Sequence, residues 1–278
     1  LLQGITGSGK TLAFGLPLLL HVEGAKPRRP QGLVLAPTRE LADQIQRELD
    51  PIARAGGRRI TAIYGGVGYG PQKRALKAGV DVLVACPGRL TDLITQGDVE
   101  LDEIEVVVID EAYVDFGDDS CVELVRCHGN VVVTRTVSKG YSLAGVRFGW
   151  ACAQPHLIAG LMTVKDSYNV NALTQVVAVA ALADQSHFQA NVARVRATRE
   201  RVGIALAAAG FEVLPSSANF LFVKPPIAAD QFMAELREAG VLVRYFDGAL
   251  TRDHVRITIG TDEEMDVLLA APCVRRCD

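Results

Sequence analysis

Two adjacent carboxylates, Asp110 and Glu111, follow a short apolar run at residues 106–109 and are the first residues that could do chemistry. An apolar run of this length predicts a fully buried strand. In α/β proteins, ligands bind where such strands end, at the carboxyl edge of the sheet. A carboxylate there can ligate Mg²⁺ beside a nucleotide, or it can pair with the protonated ring nitrogen of a bound cofactor. The residues before the strand favour the first chemistry, and the residues after it favour the second.

Before the strand, residues 4–11 read GITGSGKT and fit the phosphate-loop pattern G-x-x-x-x-G-K-[ST]. Gly7 and Gly9 let such a loop curl so that its amides point inward. Lys10 would reach the β- and γ-phosphates and Thr11 would ligate Mg²⁺. The alternative is a flexible Gly/Ser loop in front of a helix at residues 12–22.

After the strand, an apolar segment at residues 130–136 predicts another strand that leads into Ser138 and Lys139, with Arg147 eight residues further on. A lysine just past a buried strand, with a hydroxyl and an arginine nearby, suits an aldehyde cofactor that carries a phosphate. Lys139 would form the Schiff base, and Ser138 and Arg147 would hold the phosphate. Asp110, on the neighbouring strand, is then the candidate partner of a pyridine nitrogen. The alternatives are a surface lysine and a helix-capping serine.

The elements around these residues predict an α/β fold. Strands at residues 32–37, 59–64 and 81–85 alternate with helices at the spacing of a doubly wound, mostly parallel sheet, and Thr38 is expected to cap a helix. Beyond residue 171, the pattern predicts a smaller α+β domain, in which Gly210 ends a long helix and Thr261 caps the last one. Its expected strands are 211–214, 219–223, 241–245 and 254–259, and its expected helices are 171–184, 186–209 and 228–239.

Composition narrows the functions that the chain can have. With 29 basic and 32 acidic residues among 278, it lacks the basic excess of an electrostatic nucleic-acid binder, so RNA binding is not expected. The longest apolar segment, 12–22, is shorter than the ~20 residues that a membrane span needs. Six cysteines without a CxxC pair indicate reduced thiols in a cytoplasmic protein. Cys273 and Cys277 could share a metal, but no other soft ligands lie near in sequence, so incidental surface cysteines and no metal site are expected.

The motifs of the first part resemble one family. QGITGSGKT, APTRELA, the pair Gly65-Gly66, CPGRL and VVVIDEA, in this order within residues 1–112, are similar to the first RecA-like domain of the DEAD-box RNA helicases. The resemblance implies an ATP site with Mg²⁺, in which Asp110 binds the ion and Glu111 the attacking water. It implies RNA-backbone contacts for Thr38, Arg39, Gly66 and Arg89. Tyr113 stands where such a helicase continues with Asp, and the second RecA-like domain does not follow, so helicase activity is not expected.

The motifs of the second part resemble another family. IDEAYVDF, RTVSKGYSLAGVRFGWA, DSYNVN, PSSANFLF, GVLVRYF and VRITIGTDEE, within residues 109–278, are similar to the fold-type I pyridoxal-phosphate aminotransferases, and among them to the histidinol-phosphate aminotransferases of histidine biosynthesis. The resemblance implies a small-molecule amino donor and acceptor, pyridoxal 5'-phosphate as cofactor and a two-fold homodimer. The implied cofactor-binding residues are Asp110 for the ring nitrogen, Tyr113 for the ring hydroxyl, and Ser138 and Arg147 for the phosphate; Lys139 is the catalytic lysine, Arg256 binds the substrate carboxylate, and Arg244 is a weaker candidate for substrate contact.

The chain is therefore interpreted as a chimera joined at the strand that ends in Asp110. We expect one hybrid sheet and a smaller carboxyl-terminal domain, with segments 1–112, 109–200 and 201–278. The leading hypothesis is an aminotransferase that is impaired because its amino-terminal half is replaced. The chain is also expected to be truncated at its amino end, since it starts without Met. The alternatives are an ATP-binding helicase fragment and an inactive fusion. Asp110 cannot serve Mg²⁺ and a pyridinium at once, so at most one site is expected to be active.

Overall fold

The computed structural model describes residues 9–24, 26–165, 167–247 and 251–275. The chain divides into two compact units, one formed by residues 1–112 and 119–183, the other by residues 113–118 and 184–278. This division follows packing rather than ancestry, because the first unit contains strands from both sides of the expected junction.

The first unit is built on a six-stranded sheet of order β2-β3-β1-β4-β5-β6, in which only β6 runs antiparallel to its neighbour. This mostly parallel sheet confirms the predicted fold class. β4 lies between β1 and β5, so the two expected parents meet in one continuous ladder. The strands are β1 (Gly32–Leu35), β2 (Ile60–Ile63), β3 (Val82–Ala85), β4 (Val106–Asp110), β5 (Val131–Thr136) and β6 (Gly149–Ala153).

The two faces of this sheet are covered by different elements, as the alternation of side chains along a strand requires. Val108 and Val132 pack in one apolar cluster with Phe14 and Ile45 from the first two helices. The side chains in between, Ile109 among them, pack in another cluster with Val131 and Val133. The helices of the unit are α1 (Gly9–His21), α2 (Arg39–Ala55), α3 (Tyr69–Ala78), α4 (Pro87–Thr95), α5 (Leu124–Cys127), α6 (Pro155–Val164) and α7 (Ala172–Ala183).

The second unit has a four-stranded antiparallel sheet of order β7-β8-β10-β9, which confirms the predicted smaller α+β domain. Its core includes Phe232, Leu236 and Ile257, each at most 1% exposed. The elements are α8 (Gln185–Ala208), β7 (Glu212–Val213), β8 (Phe220–Lys224), α9 (Ala229–Glu238), β9 (Arg244–Tyr245), β10 (Val255–Thr258), α10 (Asp262–Ala270) and α11 (Pro272–Arg275).

The predicted helix caps are confirmed in both units. The Thr38 hydroxyl accepts a hydrogen bond from the Leu41 amide at the start of α2. Thr261 and Glu264 form a reciprocal capping box at α10, which satisfies two amides that the helix leaves unpaired. Gly210, with φ of 82°, follows α8 in the left-handed conformation expected of a helix C-cap.

One strand was missed, and two expectations about local structure are wrong. β6 was not predicted, and the strand expected at 241–245 is confined to β9, because the Val241 amide instead donates to the Leu236 carbonyl at the end of α9. Cys273, expected at the surface, is 4% exposed in the core of the second unit, where a thiol behaves as a small apolar side chain.

Within the described ranges, no helix combines the length and the apolar character that crossing a membrane requires.

Candidate functional site

Asp110 is the last residue of β4 and lies at the carboxyl edge of the parallel strands, as predicted. Its side chain is half-buried, and Oδ1 accepts a hydrogen bond of 2.9 Å from the Ala112 amide. Asp110 is in register with Thr134 on β5. The carboxylate is thereby oriented by its own strand end, beside the strand that leads to Lys139.

Ser138 and Lys139 lie in a tight turn just past β5. The Ser138 amide donates to Oγ1 of Thr136 at 3.1 Å, and the two hydroxyls are 2.9 Å apart. The Lys139 carbonyl accepts from the Ser142 amide at 3.1 Å. Both predicted site residues are half-buried. The turn therefore presents a hydroxyl and an amine side by side at the same sheet edge as Asp110.

Arg147 adopts a left-handed backbone conformation, with φ of 57°, directly before β6. Its Nη1 donates to the Ala144 carbonyl at 2.8 Å. Ser142, in the same loop, is also left-handed, with φ of 55°. Such conformations are unfavourable for residues other than glycine and concentrate at functional sites. Arg147 thus lies at the end of the loop that begins with Ser138 and Lys139 and leads into β6, and its contact with a cofactor phosphate stays a prediction.

Glu111, the second carboxylate, is held in a buried network. Its carboxylate accepts from Arg135 Nε at 2.9 Å, from the Cys121 amide at 2.5 Å and from the Ser120 hydroxyl at 3.0 and 3.1 Å. The side chain of Glu111 is 6% exposed. Burial, followed by the negative charge of Glu111, raises the pKa of the Cys121 thiol. A carboxylate engaged by these donors is poorly suited to the predicted alternative role of activating water beside a nucleotide.

The predicted nucleotide loop is described only in part. Gly7 lies outside the described residues, and Gly9 and Lys10 open α1 without a description of the Lys10 side chain. Thr11 is 4% exposed. Its role as a Mg²⁺ ligand therefore stays a prediction, and a buried hydroxyl within a helix does not favour it. Within the described residues, no group of three or more His, Cys, Asp or Glu side chains is arranged to hold a metal ion.

The residues that were expected to contact an RNA backbone make their contacts within the first unit instead. Arg89 is 7% exposed, its guanidinium lies 3.9 Å from the ring centre of Tyr69, and it donates to Gln72 and to the Val67 carbonyl. This buried position disagrees with the expected RNA contact. Arg39 packs closely against Gly66, where a Cβ would lie 2.2 Å from the Arg39 Nη1 atom.

Polar groups at the ends of β2 and β3 are similarly engaged. Tyr64 donates from its hydroxyl to Asp43 at 2.6 Å. Burial, reinforced by that hydrogen bond, raises the pKa of Tyr64. Burial also raises the pKa of the Cys86 thiol to about 12. These groups therefore stay neutral at physiological pH and contribute to packing.

The other predicted residues cluster in the second unit. The Tyr113 ring meets Phe220 edge to face, with ring centres 5.5 Å apart. Arg256, on β10, lies 5.3 Å from the ring centre of Phe220 and 5.6 Å from that of Phe246. Arg244 lies 5.4 Å from Phe246. The Arg256 Nε atom is buried without a hydrogen-bond partner, which is an arrangement that favours an anionic ligand.

Sequence reasoning missed Arg135, Ser120 and the aromatic pair Phe220 and Phe246. A charged residue inside an otherwise apolar strand was the available signal for Arg135, since β5 reads VVVTRT. No comparable signal marked Ser120, because its contact with Glu111 depends on the course of the loop that follows β4.

Two family models match this chain, in the two parts that the motifs indicated. The family model described as aminotransferase class I and II matches residues 104–271. The model described as DEAD/DEAH box helicase matches residues 1–120, which is less than half of the chain.

Individual relatives point to one type of enzyme. Histidinol-phosphate aminotransferase 1 of Nostoc sp. is 50% identical over 167 residues, which are 60% of this chain and 47% of the relative. Histidinol-phosphate aminotransferase of Geobacter sulfurreducens is 46% identical over 60% of this chain and 48% of its own length. The chain thus spans about half the length of the curated relatives it matches.

A solved structure extends the likeness to almost the whole chain. Histidinol-phosphate aminotransferase from Sinorhizobium meliloti, in complex with pyridoxal-5'-phosphate, has a TM-score of 0.70 and 23% identity over 97% of this chain and 76% of that one. At this identity, the likeness concerns the fold. The segment with helicase motifs thus takes part in an aminotransferase-like architecture.

Proposed function

Because this chain belongs to the aminotransferase class I and II family, we propose that it is a pyridoxal 5'-phosphate-dependent aminotransferase of the histidinol-phosphate type. The activity is expected to be impaired, since residues 1–112 carry helicase motifs instead of the corresponding aminotransferase segment. A cytoplasmic location is part of the proposal.

The predicted cofactor residues of the first unit each have a definite task in this proposal. When bound, pyridoxal 5'-phosphate withdraws electrons from the carbon that bears the amino group. Asp110 would accept a hydrogen bond from the protonated ring nitrogen and balance its charge. Ser138 and Arg147 would donate to phosphate oxygens. The Lys139 amine would hold the cofactor and would move a proton at the reacting carbon of the substrate.

The observation that carries the proposal is the parallel pairing of β4 with β5. Asp110 is in register with Thr134, so the strand end with the carboxylate and the turn with Ser138 and Lys139 share one edge. Neighbouring parallel strands lie only about 4.8 Å apart, a separation that lets both ends serve one ring.

Borohydride reduction in the presence of pyridoxal phosphate, followed by peptide mapping, tests this proposal. We expect the label on the peptide that contains Lys139, and its loss in Lys139→Ala. Lys73→Ala is the matched control, because this lysine lies in the same unit and pairs with Asp98 at 2.6 Å. Label spread over surface lysines, with Lys139 unmodified, would contradict the proposal.

The substrate's anionic group is assigned to the arginines of the second unit. Arg256 is supported by its buried Nε atom and by the two aromatic rings beside it. Arg244 shares the Phe246 ring and is the weaker candidate. Arg256→Gln should raise the KM for the amino donor more than Arg244→Gln does, while cofactor labelling of Lys139 stays unchanged. Equal KM values in Arg256→Gln and the wild type would remove this assignment.

A homodimer is part of the proposal, and α7 supports it. Leu173, Val176 and Val179 are 80%, 70% and 70% exposed and recur every three residues along this helix. Beside them lies a mainly apolar cavity of about 830 Å³ that is lined by Trp150 and Tyr168 among others. Exposed apolar surface of this kind marks protein interfaces. Val176→Glu should convert a dimer to a monomer in light scattering, whereas Ile204→Glu on α8, also exposed, should not.

The second candidate function is nucleotide binding at residues 1–112, and the helicase family match favours it. ATP binding by the wild type that is lost in Lys10→Ala would support this candidate. Because Glu111 is engaged by Arg135, we expect no ATP hydrolysis even if the nucleotide binds. Binding that survives Lys10→Ala would not involve the phosphate loop.

A further inference from the structure

An ion pair joins the two strand ends that carry the proposed cofactor residues. Arg135, on β5, bonds to the Glu111 carboxylate through Nε at 2.9 Å and through Nη2 at 2.8 Å. Glu111 directly follows Asp110 in the sequence, and Arg135 stands four residues before Lys139. The pair is therefore a side-chain link between the carboxylate end of β4 and the lysine end of β5.

This pair lies on the opposite face of the sheet from Asp110. Residues 109, 131 and 133 pack in the cluster that includes Cys121 and Val125, and Glu111 and Arg135 continue that alternation. Asp110 and Thr134 fall on the other face, because neighbouring side chains of a strand point to opposite faces. The pair cannot act on the cofactor by contact and must act through the backbone.

The path from the pair to the lysine is short and rigid. Thr136, next to Arg135, is 5% exposed, and its Oγ1 lies 3.1 Å from the Phe148 carbonyl while it accepts from the Ser138 amide. Val137 is fully buried, and its carbonyl accepts from the Leu143 amide. A shift of Arg135 along the strand would therefore be passed to Ser138 and Lys139.

A third contact fixes the pair in place. The Ser120 hydroxyl bonds to both Glu111 oxygens and accepts from Arg135 Nη2 at 2.6 Å. The Cys121 amide also donates to Glu111. The Glu111 side chain is 6% exposed and that of Arg135 27%, so removing the arginine leaves a buried carboxylate without its counter-charge.

We propose that Arg135 and Glu111 are positioning residues, which hold β4 and β5 in the arrangement at which Asp110 and Lys139 serve the same cofactor ring. The inference rests on the proposed function. It also gives Glu111 a role unlike water activation, because its charge is used between strands and not on a ligand.

The test compares four variants of the full chain with the wild type. Arg135→Met removes the charge, Arg135→Lys keeps it but loses the two-point contact, and Glu111→Gln keeps the shape. Lys73→Met is the control, because it breaks the Lys73–Asp98 pair of the same unit, which is also partly buried. The readouts are the pyridoxal phosphate concentration for half-maximal reductive labelling of Lys139, the pH midpoint of the visible absorbance of the cofactor-bound protein, and urea unfolding.

We expect Arg135→Met and Glu111→Gln to raise the half-labelling concentration at least about ten-fold, the size of losing one charge-assisted contact, and to move the pH midpoint. Arg135→Lys should recover part of both effects. Lys73→Met should leave both at wild-type values, whatever it does to unfolding. If Arg135→Met does not fold, Arg135→Lys and Glu111→Gln decide the question.

Two failures can be told apart. Wild-type protein in which Lys139 is not labelled overturns the proposed function and this inference with it. Wild-type labelling of Lys139, together with unchanged half-labelling and pH midpoint in the Arg135 and Glu111 variants, overturns the inference alone. The same shift in Lys73→Met would show that general destabilisation is the cause, and would also overturn it.

Discussion

The ends of β1–β3 and the ends of β4–β5 lie in one sheet but use their polar residues differently. Past β2 and β3, Tyr64 bonds to Asp43, and Arg89 is buried against Tyr69. Past β5, Ser138 and Lys139 are half-buried in a turn held by backbone bonds, and Arg147 has a left-handed backbone. The first set takes part in packing, whereas the second lies at the carboxyl edge of the sheet.

The difference teaches that sheet formation and chemistry have separate requirements. The apolar runs of β1, β4 and β5 pair in register whichever family their motifs resemble. A sheet needs only buried side chains of suitable size on alternating faces. A site also needs suitable side chains in the loops beyond the strands.

The largest expected effect distinguishes two aspartates on the two sides. Asp110→Asn cannot balance a protonated ring nitrogen, so transamination should fall by about 10³-fold, as when one preorganised electrostatic contact is lost. Asp43→Asn should leave the rate unchanged. Steady-state kinetics at saturating cofactor provides the measurement, and equal losses in both variants would contradict the contrast.

Core truncations on the two sides test whether the sheet unfolds as one body. Leu49→Ala should cost about 3 kcal/mol and Val133→Ala about 2 kcal/mol, because both side chains are at most 1% exposed. Trp150 on β6, the one tryptophan of the sequence, reports the transition in urea. Both variants should lower its midpoint. A Trp150 transition that ignores Leu49→Ala would mean that the two sides unfold separately.

Helix caps sharpen the comparison at a smaller scale. Thr38→Ala and Asn171→Ala should each cost about 1 kcal/mol, because each removes a side-chain acceptor from a helix start. Only Asn171→Ala should also weaken cofactor binding, since Thr174 at that helix start donates to the Val146 carbonyl, beside Arg147. Chemical denaturation and fluorescence titration with pyridoxal phosphate separate the two effects.

The smallest effect concerns two thiols. Burial raises the pKa of Cys86 to about 12, so the protonated thiol is favoured by folding. This contribution to stability is present below the ordinary pKa of a thiol and is lost as pH rises toward 12. Alkylation of Cys86 should therefore stay slow at pH 8. Alkylation of Cys121 should speed up a few-fold in Glu111→Gln, because one charge that raises the pKa of this thiol is removed. Mass spectrometry of alkylated peptides measures both rates.

The sequence predicted the fold better than it predicted the contacts that hold the candidate site in place. β4 was predictable because four apolar residues precede two acids, and Thr38 was predictable as a cap from its residue type alone. β6 was missed because GWACA shows no alternation and its direction depends on pairing with β5. The contact between Glu111 and Arg135 was missed because it requires the register of β4 against β5, which local sequence does not encode.

The register of β4 also constrains how such a chain can be assembled. One residue added or removed within residues 106–109 would reverse which side each following side chain faces. A deletion would bring Glu111 to the place of Asp110 and would move Asp110 to the apolar place of Ile109, against Val131 and Val133. A junction between two genes at this strand is therefore tolerated only when it preserves which residues fall at odd and at even positions. This constraint acts on the strand as the reading frame acts on the messenger RNA.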